Sequence, residues 1–255
     1  MLIIVPPSET KRSASGGGPP LALDRLSFRE LTPIRERVIA ALVETSASPD
    51  AFRRLHVRPT MAEEVARNTA LRELATMPAA SVYSGPLHRG LSIATLSPSA
   101  RDRAERSIVI TSPLFGLLRL SDAIPPYRLN LFSFLLGLPR LDAVWKPVLP
   151  DVLASAGARE SLVLDLRSPE AQLIGRPEGR ADTTVSLKVR QQVFGRFIGD
   201  VVAKRVRGEA GRLVLEAPSQ PAGVDELAAM LEERWPVELS SGPRGALTLT
   251  LRVED

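Results

Sequence analysis

The sequence predicts one mixed α/β (α+β) domain, a mixed sheet surrounded by helices, and three observations carry that prediction. Its 255 residues, 44% of them apolar, suffice for one substantial core. Short β-branched runs alternate with helical-period segments, without a regular βαβ rhythm. No internal repeat and no interdomain linker divides residues 1–255.

MLIIV at the start is an apolar run stopped by Pro6-Pro7, which predicts a buried strand delivering Ser8, Glu9, Thr10 and Lys11 into a loop. That loop continues through SASGGGPP, and residues 12–20 are expected to form a flexible Gly/Pro strap. Thr32-Pro33 opens a helix carrying Ile34, Val38, Ile39, Leu42 and Val43 at helical spacing. Thr60 with Glu63 reads as a capping box for a second helix running to about Leu74. Ser97-Pro98 starts a short charged helix ahead of the strand Ile108-Val109-Ile110. The stretch from Thr111 to Leu131 is too punctuated by turn residues to be one helix. Asp142 to Leu153 reads as a helix and residues 161–166 as a buried strand. Alternation over 185–190 makes a strand with Lys188 and Arg190 on one basic face. Residues 202–212 concentrate Lys204, Arg205, Arg207 and Arg212 beside glycines, a basic turn with room for a ligand to approach the backbone. Asp225 to Arg234 forms a helix, and ALTLTLRV a final alternating strand.

Composition removes several functions. Cysteine is absent, which excludes a disulfide framework, a thiolate metal site and a cysteine nucleophile. His56 and His88 show no metal-ligand spacing, so no histidine-based metal site is expected, an all-carboxylate site staying open, and the sequence implies no cofactor. No P-loop, G-x-G-x-x-G turn or G-x-S-x-G elbow occurs. The longest apolar runs fall far short of a bilayer, and Met1 leads into a strand without a basic leader, so a cytoplasmic protein with no membrane partner is expected. The net charge of +4 suits phosphates or an acidic small molecule. Of 33 basic side chains only Lys11, Lys146, Lys188 and Lys204 are lysine. A lysine kept in so arginine-rich a chain suggests a compact amine with an adjustable pKa.

Three segments resemble one family. MLIIVPPSETK resembles the opening signature of the YaaA-like peroxide-stress-resistance proteins, roughly M-L-I-L-x-P-P-S-E-G-K. LFGLLRLSDAIPPYRL resembles their L-Y-G-x-L-R-P-x-D-x-I-P-P-Y-R-L, and EVARNTALRELATMPAASVYSGPL is similar to their segment from an R-N pair to V-Y-x-G-x-L. Trp145-Lys146, the run Leu164 to Ser168, Ala203-Lys204 and Arg207-Gly208 follow in the family order. The resemblance implies a YaaA-like single-domain fold and a cytoplasmic role in peroxide stress and in limiting free iron. It also implies binding of double-stranded DNA, or another phosphate-rich ligand, in a basic cleft. Carried over by motif, the site residues are Ser8, Glu9, Lys11, Arg119, Asp122, Tyr127, Arg128, Lys204 and Arg207; the basic run and the basic strand face add Arg205, Arg212, Lys188 and Arg190 to Lys204 and Arg207 as candidate phosphate contacts. Thr10 and Pro113 replace family glycines, and proline offers no N–H to a phosphate. The segment LNLFSFLLGL is more apolar than the family continuation and implies a remodelled pocket wall. The alternative reading is therefore an enzyme acting on a small anionic or nucleobase-like substrate, in a biosynthetic pathway, through Glu9, Lys11, Tyr127 and Lys204.

Overall fold

The structure, a computed structural model, describes residues 1–14, 17–191, 199–242 and 245–253. The opening run forms β1 (Leu2–Val5), buried at every position because both faces of the sheet are covered there. Three helices follow, α1 (Thr32–Ala47), α2 (Ala51–Arg54) and α3 (Ala62–Thr69). The chain then runs through β2 (Met77–Pro78), α4 (Ala79–Val82), α5 (Pro86–Leu91) and α6 (Pro98–Ser107) into β3 (Ile108–Ser112), β4 (Gly116–Leu118) and β5 (Ala123–Ile124). Next come α7 (Leu141–Trp145), α8 (Leu149–Ala156), β6 (Val163–Asp165) and β7 (Thr184–Gln191). The remaining elements are α9 (Asp200–Glu216), α10 (Val224–Glu232), β8 (Val237–Ser241) and β9 (Leu247–Val253).

Seven strands make one sheet in the order β4-β3-β1-β6-β7-β9-β8. The five inner strands are mutually parallel, while β4 and β8 close the two edges antiparallel, so the α/β reading holds. β8 carries the exposed polar run expected of an edge strand. From β1 the chain winds to β3 on one side and returns to β6 on the other. The loops after β1, β3 and β6 consequently splay around a crevice at the carboxyl edge, where ligands bind in open parallel sheets.

Two buried arginines lock this frame. Arg35 of α1 is fully buried and donates to the carbonyls of Phe115 (2.9 Å), Leu117 (2.7 Å) and Ser27 (2.8 Å), tying α1 to β4. Arg167, also buried, pairs with Asp165 at 2.7 Å and donates to the Gly175 carbonyl at 2.9 Å. Gly116 adopts φ +74° and packs under Trp145, whose ring would lie 2.5 Å from any added Cβ.

Three expected elements differ. The segment at Thr60 begins as a 3-10 turn over Pro59–Met61, and no side-chain capping bond forms at the start of α3. That helix stops at Thr69, short of the expected Leu74, and its buried Asn68 directs its side chain to the backbone of Arg128. The helix expected over 142–153 is two, broken at Pro147, which cannot donate the next helical hydrogen bond. The basic turn expected at 202–212 lies inside α9. Its glycines make room for another helix: a Cβ on Gly208 would stand 2.0 Å from the Leu87 carbonyl of α5. In the 12–20 strap, Arg12 N–H donates to the Val82 carbonyl and the Pro19 carbonyl accepts from Thr76.

Candidate functional site

The loop after β1 is the first piece of the site. Lys11 bridges Tyr83 as an isolated antiparallel pair, Arg12 N–H donates to the Val82 carbonyl at 2.9 Å, and Ser84 N–H to the Thr10 carbonyl at 3.2 Å. Ser8 is buried, its hydroxyl donating to the Thr10 carbonyl at 2.6 Å. Gly85 permits that burial, because a Cβ there would meet Ser8 Oγ at 2.4 Å. So folded, the loop curls Lys11 back until its ammonium donates to the Ser8 carbonyl at 2.8 Å.

The Lys11 nitrogen sits over the Tyr127 ring, 4.1 Å from its centroid, with the Tyr83 ring at 5.7 Å. Burial, and then the nearby Arg128 guanidinium, lower its pKa from an ordinary 10.5 to about 7, against the opposing pull of Glu9. The two tyrosine hydroxyls share a hydrogen bond of 2.9 Å, and Tyr127 continues to Ser112 Oγ at 2.8 Å. Ser112 Oγ in turn accepts the backbone N–H groups of Leu114 and Phe115, which closes the network at the end of β3. Burial pushes the Tyr127 hydroxyl up to about 12, so it keeps its proton at neutral pH. His88 stacks on Tyr83 and bonds the Pro6 carbonyl at 3.0 Å through Nε2. Burial lowers its pKa to about 4, so the ring is neutral, and since a carbonyl only accepts, Nε2 carries the proton.

Two cavities adjoin at this loop and share Glu9, Thr10 and His56 in their linings. One, about 670 Å³, lies over the carboxyl ends of β1, β3 and β6; Ser8, His88, Lys204 and Arg207 line it, and Leu131 and Phe132 supply an apolar wall. The other, about 660 Å³, is lined by Lys11, Tyr127 and Arg128, with Arg58, Arg67 and Glu64 around them. Arg128 stands between secondary structures, yet its backbone is clamped by Asn68, which donates to its carbonyl at 2.8 Å and accepts its N–H at 2.9 Å. Its guanidinium reaches Glu9 at 3.3 Å, while its buried Nε has no hydrogen-bond partner among the described residues.

Five of the predicted residues, Ser8, Glu9, Lys11, Tyr127 and Arg128, therefore meet, and Lys204 and Arg207 join them across the larger cavity. Arg119 and Asp122 do not. The Asp122 carboxylate accepts from Ser27 and from the Arg119 N–H, and the Arg119 guanidinium donates to the Arg106 carbonyl, so both brace the turn before β5. The predicted phosphate contacts are dispersed: Arg205 pairs with Glu209, Arg212 holds the carbonyls of Ser92 and Thr95, and Lys188 and Arg190 are exposed on β7. Sequence reasoning missed Asn68, Tyr83, His88 and Ser112. The first two stand in the R-N and V-Y-x-G motifs, which were the available signal.

A parallel-cored α/β domain with a lysine-bearing cleft at its central strand ends is the class of protein that this fold and site define. A family model described as peroxide stress protein YaaA matches residues 1–238. A UPF0246 protein of Streptomyces coelicolor is 35% identical over 257 residues, spanning 99% of this chain and 98% of its own length. One from Corynebacterium efficiens is 36% identical over 259 residues, spanning 98% and 100%. The chain belongs to the YaaA peroxide-stress family. No helix among the described residues is long and apolar enough to cross a membrane.

Proposed function

We propose that the protein binds a small anionic molecule in the adjoining cavities and performs acid–base chemistry on it through Lys11. The observation that carries this reading is convergence: an amine poised to gain and lose a proton near pH 7 stands on one loop with Glu9, and Arg128 is brought to both from more than a hundred residues away. Arg128 and Lys204 supply charge for an anionic group, while Leu131 and Phe132 offer an apolar surface to the rest of the ligand. The Tyr127 and Tyr83 rings hold the amine in place and shield one side of it from water. A role in peroxide stress, including any limit on free iron, would follow from the molecule that this site consumes or sequesters.

Duplex DNA is the second reading, and the adjacent Lys204 and Arg207 on α9 favour it. Weighing against it, three of the four cations in the 202–212 run already face a carboxylate, Lys204 with Asp200 at 2.5 Å, Arg205 with Glu209 at 3.0 Å and Arg212 with Glu216 at 3.1 Å, which weakens that run as a phosphate-binding surface. The two readings separate in one set of titrations. Phosphate or a short-chain carboxylate is expected to raise the melting temperature of the wild type by several degrees and that of an Arg128→Gln variant by much less. A labelled duplex, measured by anisotropy at about 50 and 200 mM salt, is expected to bind weakly and without saturation. Saturable duplex binding that falls steeply with salt and vanishes in a Lys204→Ala, Arg207→Ala variant, with no response to small anions, would reverse the order.

A further inference from the structure

We propose that Lys11 forms a reversible imine with a small carbonyl compound bearing an anionic group, a 2-oxo acid or an aldehyde acid. The inference rests on the reading that the cavities hold a small anion, and it names the substrate class. Three features of the smaller cavity point to it. The Lys11 nitrogen lines the cavity wall, backed by the Tyr127 ring and oriented by the Ser8 carbonyl. A cationic neighbour and a dry surrounding are the two devices that leave a lysine amine neutral and nucleophilic, and Arg128 with the tyrosine pair supplies both. Arg128 also keeps a buried Nε without a hydrogen-bond partner, on a guanidinium whose one ion pair among the described residues is with the exposed carboxylate of Glu9. A ligand carboxylate can displace the exposed Glu9 from the terminal nitrogen of Arg128, which places its carbonyl carbon toward Lys11.

The chemistry balances within the site. The neutral amine adds to the carbonyl carbon and gives a carbinolamine; its nitrogen then loses its second hydrogen as the C–O bond breaks. The product is a C=N bond and one water, built from the carbonyl oxygen and both amine hydrogens. Glu9, released from Arg128 and lining both cavities, is positioned to carry those protons. Lys204 is a poorer nucleophile because Asp200 holds its ammonium, and Lys146 and Lys188 lie exposed in water.

The arginine-rich composition makes the test clean, since only four lysines and the α-amine of Met1, which Glu160 holds as an ion pair, compete, and peptide mapping separates the α-amine from Lys11. The full-length protein is incubated with glyoxylate at pH 7, reduced with borohydride, and analysed as intact mass and as peptides. An ordinary lysine is neutral at pH 7 in about one part in a few thousand. Labelling of Lys11 is therefore expected to exceed that of each other lysine by at least about tenfold. The expected product is one carboxymethyl group on Lys11, absent in Lys11→Arg and reduced in Arg128→Gln, with both variants shown to be folded by their melting curves. Propionaldehyde, which lacks the anion, is expected to label Lys11 less efficiently. An unmodified Lys11, or adducts spread evenly over the four lysines, overturns the proposal. If anions still stabilise the protein in that case, the binding reading stands and the imine alone falls.

Discussion

Replacing Asp165 by alanine is expected to lower folding stability by about 3–5 kcal/mol, because it strands a buried guanidinium. Asp165 and Arg167 are both essentially inaccessible, and the carboxylate accepts Nε and a terminal nitrogen of Arg167 at 2.9 and 2.7 Å, together with its backbone N–H at 3.0 Å. With the carboxylate gone, the Gly175 carbonyl is the one hydrogen-bond acceptor left to the guanidinium among the described residues. Urea unfolding measures the loss. A second substitution, Arg167→Met, should restore much of it, since removing both charges costs far less than removing one. The pair also closes the loop from β6 to Gly175, which gives Ser168, Glu170 and Ile174 to the larger cavity. Anion binding should therefore weaken in the single variant and recover in part in the double.

Gly208→Ala is the second large effect expected. The added methyl would meet two backbone groups of α5, the Leu87 carbonyl (oxygen at 2.0 Å, carbon at 2.9 Å) and the Leu91 nitrogen at 2.8 Å, so no side chain can rotate to relieve it. The reciprocal contact, Gly90 against the Arg205 carbonyl at 2.2 Å, closes the other side. Helices α5 and α9 must separate, at a cost of about 3 kcal/mol or more, which outweighs the gain of about 0.5–1 kcal/mol from alanine's helix propensity. Because α5 carries His88 and α9 carries Lys204 and Arg207, the larger cavity should lose its anion response as well. Gly223→Ala, where nothing lies within 4 Å, should leave the melting temperature nearly unchanged.

Much of the fold was legible because each strand is a local pattern. MLIIV reads as buried on both faces and is so, and Ser97 caps α6 through the Ala100 N–H at 3.3 Å as its position suggests. The failures share a cause, which is tertiary demand overriding a local signal. Thr60 and Glu63 have the spacing of a capping box, but Pro59 opens a 3-10 turn there instead. Glycines beside basic residues suggest a ligand loop, yet Gly208 and Gly211 serve helix contact inside α9.

The site was legible only in part for a similar reason. Motif residues mark what a family keeps, and they do not separate groups that face a ligand from groups that brace a turn. Ser8, Glu9, Lys11, Tyr127 and Arg128 converge on the cavities, whereas Arg119 and Asp122 are bound to Ser27 and the Arg106 carbonyl. Arg35 and Arg167 look like surface cations in sequence, and nothing local announces that four backbone carbonyls and one carboxylate bury them. Asn68 acts on Arg128 from 60 residues away, a relation that only folding creates.

Lys11 is proposed to be an amine able to exchange its proton near neutrality, and lysine-selective NMR reads this directly. Its folded pKa, about 7, lies below its ordinary 10.5. Between those values the unfolded chain binds a proton that the folded chain does not, so this group's contribution to stability rises with pH across that window and is flat below it. With 13C,15N-labelled lysine, four Cε signals can be followed from pH 5 to 11. The account predicts that one signal, missing from Lys11→Arg, titrates near pH 7 and moves when phosphate is added. Four signals all titrating near the ordinary lysine value would contradict it.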